Sequence, residues 1–214
     1  MKFKFIDLFA GIGGLRIPFD ELGGHCVFTS EIDSKCRDTY EINFKERPFG
    51  DIKKITSSNL SVIPKHDLLL AGFPCQAFSN AGKRKGFNDT RGTLFYDIEK
   101  ILAHHKPKAF LLENVKGLRS HDGGRTLSII LEVLRNKLGY FVPEPEILNS
   151  KDFGIPQNRE RIYIIGFLKK NSFQYPKPAD IITKVSDILE PGRVPNKYTI
   201  SDRLWASHQA RKER

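Results

Sequence analysis

Gly72-Phe73-Pro74-Cys75-Gln76-Ala77-Phe78-Ser79 sets one cysteine beside a proline, directly after the apolar run Leu68-Leu69-Leu70-Ala71. Such a run reads as a buried strand, so the thiol falls where a strand stops and a loop starts. In open α/β folds ligands bind outside the carboxyl ends of strands, and a thiol there is placed to act as a nucleophile. Its reactive form is the thiolate, and a free cysteine has a pKa of about 8.5, so activation by the surroundings is expected. Glu113-Asn114-Val115 follows a second apolar run, Ala109-Phe110-Leu111-Leu112. A glutamate ending a buried strand must be paired or protonated, and in the protonated form it donates a hydrogen bond. In Gln157-Asn158-Arg159-Glu160-Arg161 the arginines alternate with a glutamate, so both point the same way on an extended segment. Their planar forks suit carbonyl and phosphate oxygens. Singly, each cluster also has a plain structural reading: a small buried hydrophobe, an ion-paired glutamate, a surface ion-pair cluster.

A ligand for these groups is suggested by Phe5-Ile6-Asp7-Leu8-Phe9-Ala10-Gly11-Ile12-Gly13-Gly14-Leu15, a strand running into a glycine-rich turn. Glycines let backbone approach a ligand closely. A dinucleotide fingerprint, G-x-G-x-x-G, counted from Gly11 and Gly13 requires glycine where this chain has Arg16. The dinucleotide reading is weakened accordingly. Glu31 follows at the end of the next strand, where an acid accepts from ribose hydroxyls; Asp33 is its rival. Asp51, in Phe49-Gly50-Asp51-Ile52, is a third candidate, for an adenine amino group. Together they describe a pocket for a nucleoside without a pyrophosphate.

The elements that must position these residues alternate. Strands are expected at 3–9, 26–30, 67–71, 109–113 and 161–167. Helices are expected from the glycine turn to about Gly23-Gly24, and at 34–44, 92–105 and 124–138. The last carries Leu127, Ile130, Leu131, Leu134 and Leu138 on one face. Pro18 should start or kink the first helix. This alternation predicts an α/β fold with a doubly wound, mostly parallel sheet. Near residue 170 the composition shifts to a polar stretch punctuated by Pro176, Pro178, Pro191 and Pro195. We therefore expect one domain over 1–170 and a basic extension over 171–214, with a short helix capped by Ser201.

The chain has 214 residues, 39% hydrophobic and 28% charged, an ordinary globular mixture. Cys26, Cys36 and Cys75 are too few and too scattered for a disulfide framework. No cysteine or histidine spacing suits zinc, so no metal is expected, and His104-His105 reads as a solvated helix end. No apolar run of ~18 residues predicts a membrane span, and no secretory signal opens the chain. The net charge of +10 points to a polyanionic partner. Residues 168–214 hold ten Lys/Arg and five Asp/Glu, and the loop 83–91 holds four Lys/Arg and one Asp, a surplus of +3 just after the cysteine. A basic loop beside a candidate nucleophile favours a phosphate backbone brought to it.

In order, FAGIGG, Glu31, GDI, GFPCQAFS, ENV and QNRERIYIIGF resemble the motifs of the C5-cytosine-specific DNA methyltransferases, over residues 3–168. The resemblance implies a Rossmann-like fold that binds S-adenosyl-L-methionine and methylates C5 of a cytosine flipped out of double-stranded DNA. It implies that Cys75 adds to carbon 6 of the ring, that Glu113 hydrogen-bonds N3 and the exocyclic amine, and that Arg161, with Arg159, holds the base carbonyl or the adjacent phosphate. For the cofactor it implies Phe9 stacked on adenine, and Ala10, Gly11, Ile12, Gly13, Gly14 and Leu15 along the methionine side. Glu31 would hold the ribose with Ile32 against the base, Asp51 and Ile52 would contact adenine, and Gly72, Pro74 and Leu94 would line the pocket. Gln76, Ser79, Lys83, Arg84, Lys85 and Arg91, on a loop over 76–93, and Gln157 would face DNA.

The family's target-recognition region and its last two motifs have no counterpart here, and 199–214 resembles the helix preceding that region. The expectation is the catalytic part of a split or truncated restriction–modification enzyme in the bacterial cytoplasm, associated with the nucleoid. A second polypeptide would supply recognition, and an apolar patch would be exposed where the absent helix docks. The alternatives are a tRNA cytosine-5 methyltransferase and a catalytically incompetent nucleic-acid-binding fragment.

Overall fold

The computed structural model describes residues 2–74, 94–179 and 181–212. Cys75 and the loop residues Gln76, Ser79, Lys83, Arg84, Lys85 and Arg91 lie outside the described residues. In chain order the elements are β1 (Phe3–Leu8), α1 (Arg16–Glu21), β2 (Gly24–Ser30), α2 (Ser34–Phe44), α3 (Ile52–Ser58), β3 (Leu68–Gly72) and α4 (Leu94–His105). Then follow β4 (Ala109–Val115), α5 (Arg125–Glu132), β5 (Glu146–Asn149), β6 (Glu160–Phe167) and α6 (Asp202–Lys212).

The sheet order is β2-β1-β3-β4-β6-β5. The first four strands pair in parallel. β6 runs antiparallel to both of its neighbours, β4 and β5, so the sheet is mostly parallel with an antiparallel edge. From β1 the chain goes outward to β2, then returns to the other side as β3. The order thus reverses between β1 and β3, which opens a crevice at the carboxyl ends of the strands.

Side chains alternate across the sheet and feed two cores. On one face Ile6, Leu8, Leu69, Ala71, Phe110, Leu112, Ile162 and Ile164 pack with Phe95, Ile98, Ile101 and Leu102 of α4 and with Ile130 of α5. Full burial of each such side chain contributes roughly 1.5–3 kcal/mol. On the other face Phe5, Cys26 and Leu70 form a smaller cluster with Leu15 and with Phe19 of α1. Helices on both faces make the fold doubly wound.

Several boundaries differ from expectation for local reasons. The first helix is only Arg16–Glu21, because the glycines before it are spent on a turn. Pro18 sits in its first turn, where the missing N–H costs nothing. The helix expected at 124–138 is α-helical over Arg125–Glu132 and continues as a π-helical turn over Val133–Lys137, which buries Leu134. His104 is exposed, but His105 is half-buried: its Nε2 lies 3.2 Å from the Leu60 carbonyl, and its ring meets that of His66. After β6, Phe173 packs between Phe167 and Tyr175. The Tyr175 hydroxyl donates to the Tyr163 carbonyl at 2.9 Å, fastening this stretch to the sheet. Beyond it, Ile182, Val185, Ile188, Leu189 and Trp205 are exposed, and α6 has no buried residue among those whose burial is described. At α6 the Leu204 N–H reaches the Ser201 hydroxyl at 3.4 Å. Ile12 and Ile17, beside and within α1, are also exposed. Among the described residues no helix is long and apolar enough to cross a membrane.

Candidate functional site

The crevice at the reversal point holds a cavity of about 280 Å³. Its walls include Phe9 after β1, Glu31 and Ile32 after β2, Asp51 and Ile52 at the start of α3, Gly72 and Pro74 at the end of β3, and Leu94 at the start of α4. Ser30 and Gly50 also line it. Neither was singled out from the sequence, although each adjoins an expected acid. Ala10, Gly11, Ile12, Gly13, Gly14 and Leu15 do not line this cavity; they form the turn beside it.

The turn has a strained backbone. Phe9 has φ +55°, a left-handed conformation that costs a side-chain-bearing residue about 1–2 kcal/mol. Gly13 has φ +93°, and a Cβ there would fall 2.1 Å from the Phe44 ring. Only glycine fits that position, since α2 packs directly on the turn.

The three acids separate by role. The Glu31 carboxylate accepts from the Gly11 N–H and the Asp33 N–H, each at 2.8 Å. Two backbone donors thus fix it at the cavity wall, and each carboxylate oxygen has a further lone pair to offer a ligand. Its rival Asp33 is instead the N-cap of α2, accepting from the Cys36 N–H at 2.9 Å. That backbone donor holds the Asp33 carboxyl below the usual carboxylate range. Asp51 both lines the cavity and caps α3 through the Lys53 N–H at 3.0 Å.

Beside this cavity, Glu113 pairs across the β3–β4 ladder with Gly72. Its Oε2 lies 3.6 Å from where a Cβ on Gly72 would sit. Its Oε1 is 2.8 Å from Nε of Arg161, with both side chains about one-fifth exposed, at 19% and 20%. This contact with a guanidinium offsets the cost of burying the Glu113 carboxyl. The antiparallel register sets Val115 opposite Arg161 and Glu113 opposite Tyr163, so the partners meet diagonally. Burial pushes the Tyr163 hydroxyl up, helped by the Glu113 charge.

Arg159 and Arg161 share a second concavity of about 290 Å³ with Gln157, Val115 and Lys116. Arg159 is exposed, while Lys116 is ion-paired to Glu160. The Asn149 side chain positions this segment: it accepts from the Arg159 N–H at 3.0 Å and donates to the Asn158 side chain at 2.7 Å. Asn114, buried between Glu113 and Val115, donates to the Phe73 carbonyl at 2.8 Å. It thereby ties β4 to the segment that leads into Cys75. Lys116 and Asn149 were not singled out from the sequence, and Asn114 entered only as the middle residue of Glu113-Asn114-Val115; of the three, only Asn114 adjoins Glu113 in the chain. Among the described residues no group of three or more His, Cys, Asp or Glu could hold a metal ion.

A family model described as C-5 cytosine-specific DNA methylase matches residues 3–214. The type II methyltransferase M.HpaII of Haemophilus parainfluenzae is 58% identical over 216 residues, a match covering 100% of this chain and 60% of M.HpaII. M.DsaV of Dactylococcopsis salina, also a type II methyltransferase, is 58% identical over 99% of this chain and 60% of its own length. The chain therefore spans about 60% of the length of these curated relatives. Among solved structures, the S. pombe Dnmt2 methyltransferase superposes with a TM-score of 0.74 at 19% identity, covering 98% of this chain and 66% of that one. The Entamoeba histolytica methyltransferase EhMeth superposes with a TM-score of 0.66 at 23% identity, over 95% and 64% of the two chains. At those identities the superpositions speak to fold alone.

Proposed function

The chain belongs to the C-5 cytosine-specific DNA methylase family, and from that premise we propose that it carries the cofactor-binding and catalytic part of a restriction–modification DNA (cytosine-5)-methyltransferase. One observation carries the reading: a nucleoside-sized cavity and the Glu113–Arg161 pair lie side by side at the carboxyl ends of the parallel strands. The cavity suits S-adenosyl-L-methionine. Phe9, Ile32, Ile52 and Leu94 offer apolar walls for adenine, and the fixed Glu31 carboxylate offers acceptors for ribose hydroxyls. When bound, that cofactor supplies an electrophilic methyl group.

The remaining chemistry belongs to the chain. Cytosine carbon 5 is a poor nucleophile until the ring's aromaticity is broken. Cys75, the next residue in the chain after Pro74 of the cavity lining, supplies the thiolate that bonds to ring carbon 6. Glu113, in its protonated form, donates to ring N3 and accepts from the exocyclic amine, stabilising the charge that develops. Arg161 holds Glu113 and, with Arg159, faces the base carbonyl or the neighbouring phosphate. After carbon 5 is methylated its proton passes to solvent, the electron pair left behind re-forms the 5,6 double bond, the carbon–sulfur bond breaks, and the thiolate returns. The stacked face of a paired base is closed to such an attack, so the cytosine leaves the duplex. The reaction belongs in the bacterial cytoplasm with the DNA. Target choice comes from a partner segment or a second polypeptide that contains the recognition region.

The test is transfer of tritiated methyl to duplex DNA, with tRNA in parallel and with the C-terminal part of a relative supplied in trans. We expect label in DNA with the supplement, little without it, and none with Cys75→Ser. Label in tRNA alone, or undiminished transfer by Cys75→Ser, would overturn the reading.

A further inference from the structure

We infer that Glu46 is a positioning residue for the ribose subsite: it holds Glu31 in register by tying the glycine turn to the end of β2. This deepens the cofactor reading proposed above and rests on it.

The tie begins at Arg16, the residue that stands where a dinucleotide-binding turn would have glycine. Its side chain is buried. Nε lies 2.8 Å from Asp20, and Nη1 donates to the Tyr40 hydroxyl at 2.9 Å and to Glu46 Oε2 at 3.0 Å. The guanidinium also lies 4.5 Å from the centroid of the Phe44 ring, the ring that closes over Gly13. The other oxygen of Glu46, Oε1, accepts from the Thr29 hydroxyl at 2.9 Å. One carboxylate therefore bridges the first residue of α1 and the penultimate residue of β2.

From Thr29 the tie reaches Glu31 through backbone. The Thr29 carbonyl accepts from the Phe49 N–H, and the Phe49 carbonyl accepts from the Glu31 N–H, both at 2.8 Å. Phe49 is stacked on Phe28 at 4.9 Å. The Glu31 carboxylate then returns to the turn through the Gly11 N–H. The contacts close into a ring: turn, Arg16, Glu46, Thr29 and Phe49, Glu31, turn. Glu46 is not among the residues lining the cavity, so it acts through Glu31 rather than on the ligand. Hydrogen bonds weaken steeply with misalignment, so loosening this ring reduces recognition of the hydroxyls while leaving the adenine walls in place.

The experiment is calorimetric titration of the purified chain with S-adenosylhomocysteine and with its 2′-deoxyribose analogue, with folding followed by circular dichroism. The wild-type chain should prefer the ribose form on the order of tenfold, the value of one charge-assisted hydrogen bond. Glu46→Ala and Thr29→Val should each reduce that preference to about threefold or less, with the deoxy form bound nearly as before. Glu46→Gln, which keeps one acceptor, should fall between. Should Glu46→Ala fail to fold, the near-isosteric Thr29→Val decides. An unchanged preference in the folded variants overturns the inference, even if both affinities fall together, and leaves the cofactor reading standing. A wild-type chain that binds both forms equally overturns the ribose role of Glu31 and the inference with it; one that binds neither form overturns the cofactor reading itself.

Discussion

Asp7 is fully buried on β1, and neither of its carboxylate oxygens has a hydrogen-bond partner among the described residues. Burial pushes its carboxyl up to about 8; the Arg16 charge opposes this, while Asp20, Glu31 and Glu46 reinforce it. The folded chain thus keeps a proton that the unfolded chain releases near pH 3.9. Between about pH 4 and 8 the unfolded state binds fewer protons, so stability falls as pH rises, by at most about 1.4 kcal/mol per unit, and levels off above. Asp7→Asn removes the titration. Calorimetric melting should show the wild type losing Tm relative to Asp7→Asn as pH rises from 5 to 8. A constant difference across that range would refute the assignment. Arg16 remains buried through other partners: its guanidinium donates to Asp20, Glu46 and the Tyr40 hydroxyl.

Among the elements, the antiparallel edge is the part of the sheet that periodicity reads least well. β5 offers only Ile147 and Leu148 as apolar residues, both half-buried. Its strand character comes from pairing with β6 rather than from its own sequence. β6 is strongly apolar and easily found, yet nothing local sets its direction. Its seat against β4 depends on Gly166, which pairs with Phe110. A Cβ on Gly166 would fall 2.1 Å from the buried Phe110 ring. Gly166→Ala should therefore overpack the core and cost about 1–3 kcal/mol. Gly117→Ala, with nothing within 4 Å of the added carbon, should stay within about 0.5 kcal/mol. Urea midpoints of the two variants check this; equal midpoints would mean that the Phe110 ring moves aside freely.

At the scale of the whole molecule, charge and exposed surface dominate. The net +10 belongs to a chain whose segment beyond about residue 180 exposes both lysines and large apolar side chains, Ile182 at 91% and Trp205 at 55%. Charge-driven contact with DNA is phosphate-based and releases counterions. Binding of the isolated chain to duplex DNA should therefore fall by at least about tenfold between 50 and 200 mM salt and be indifferent to sequence. Fluorescence anisotropy on two unrelated duplexes measures both. A salt-independent or sequence-selective affinity would show that the chain already carries a base-reading surface.

By itself the sequence determined the strand–turn alternation, the glycine turn and the cavity residues adjoining each strand end, because those follow from short-range periodicity and from where a strand must stop. It preferred Glu31 to its rival Asp33 only for its place directly after the strand, and it gave Glu113 no partner. It also read Arg16 only as a missing glycine. Those choices were made by groups distant in the chain. Asp33 is taken up by the first turn of α2, Arg161 arrives beside Glu113 only through the antiparallel register, and Arg16 finds Glu46 only once α2 has packed over the turn. A buried charge takes whichever partner the fold delivers, and that delivery is a property of the folded chain rather than of neighbouring residues.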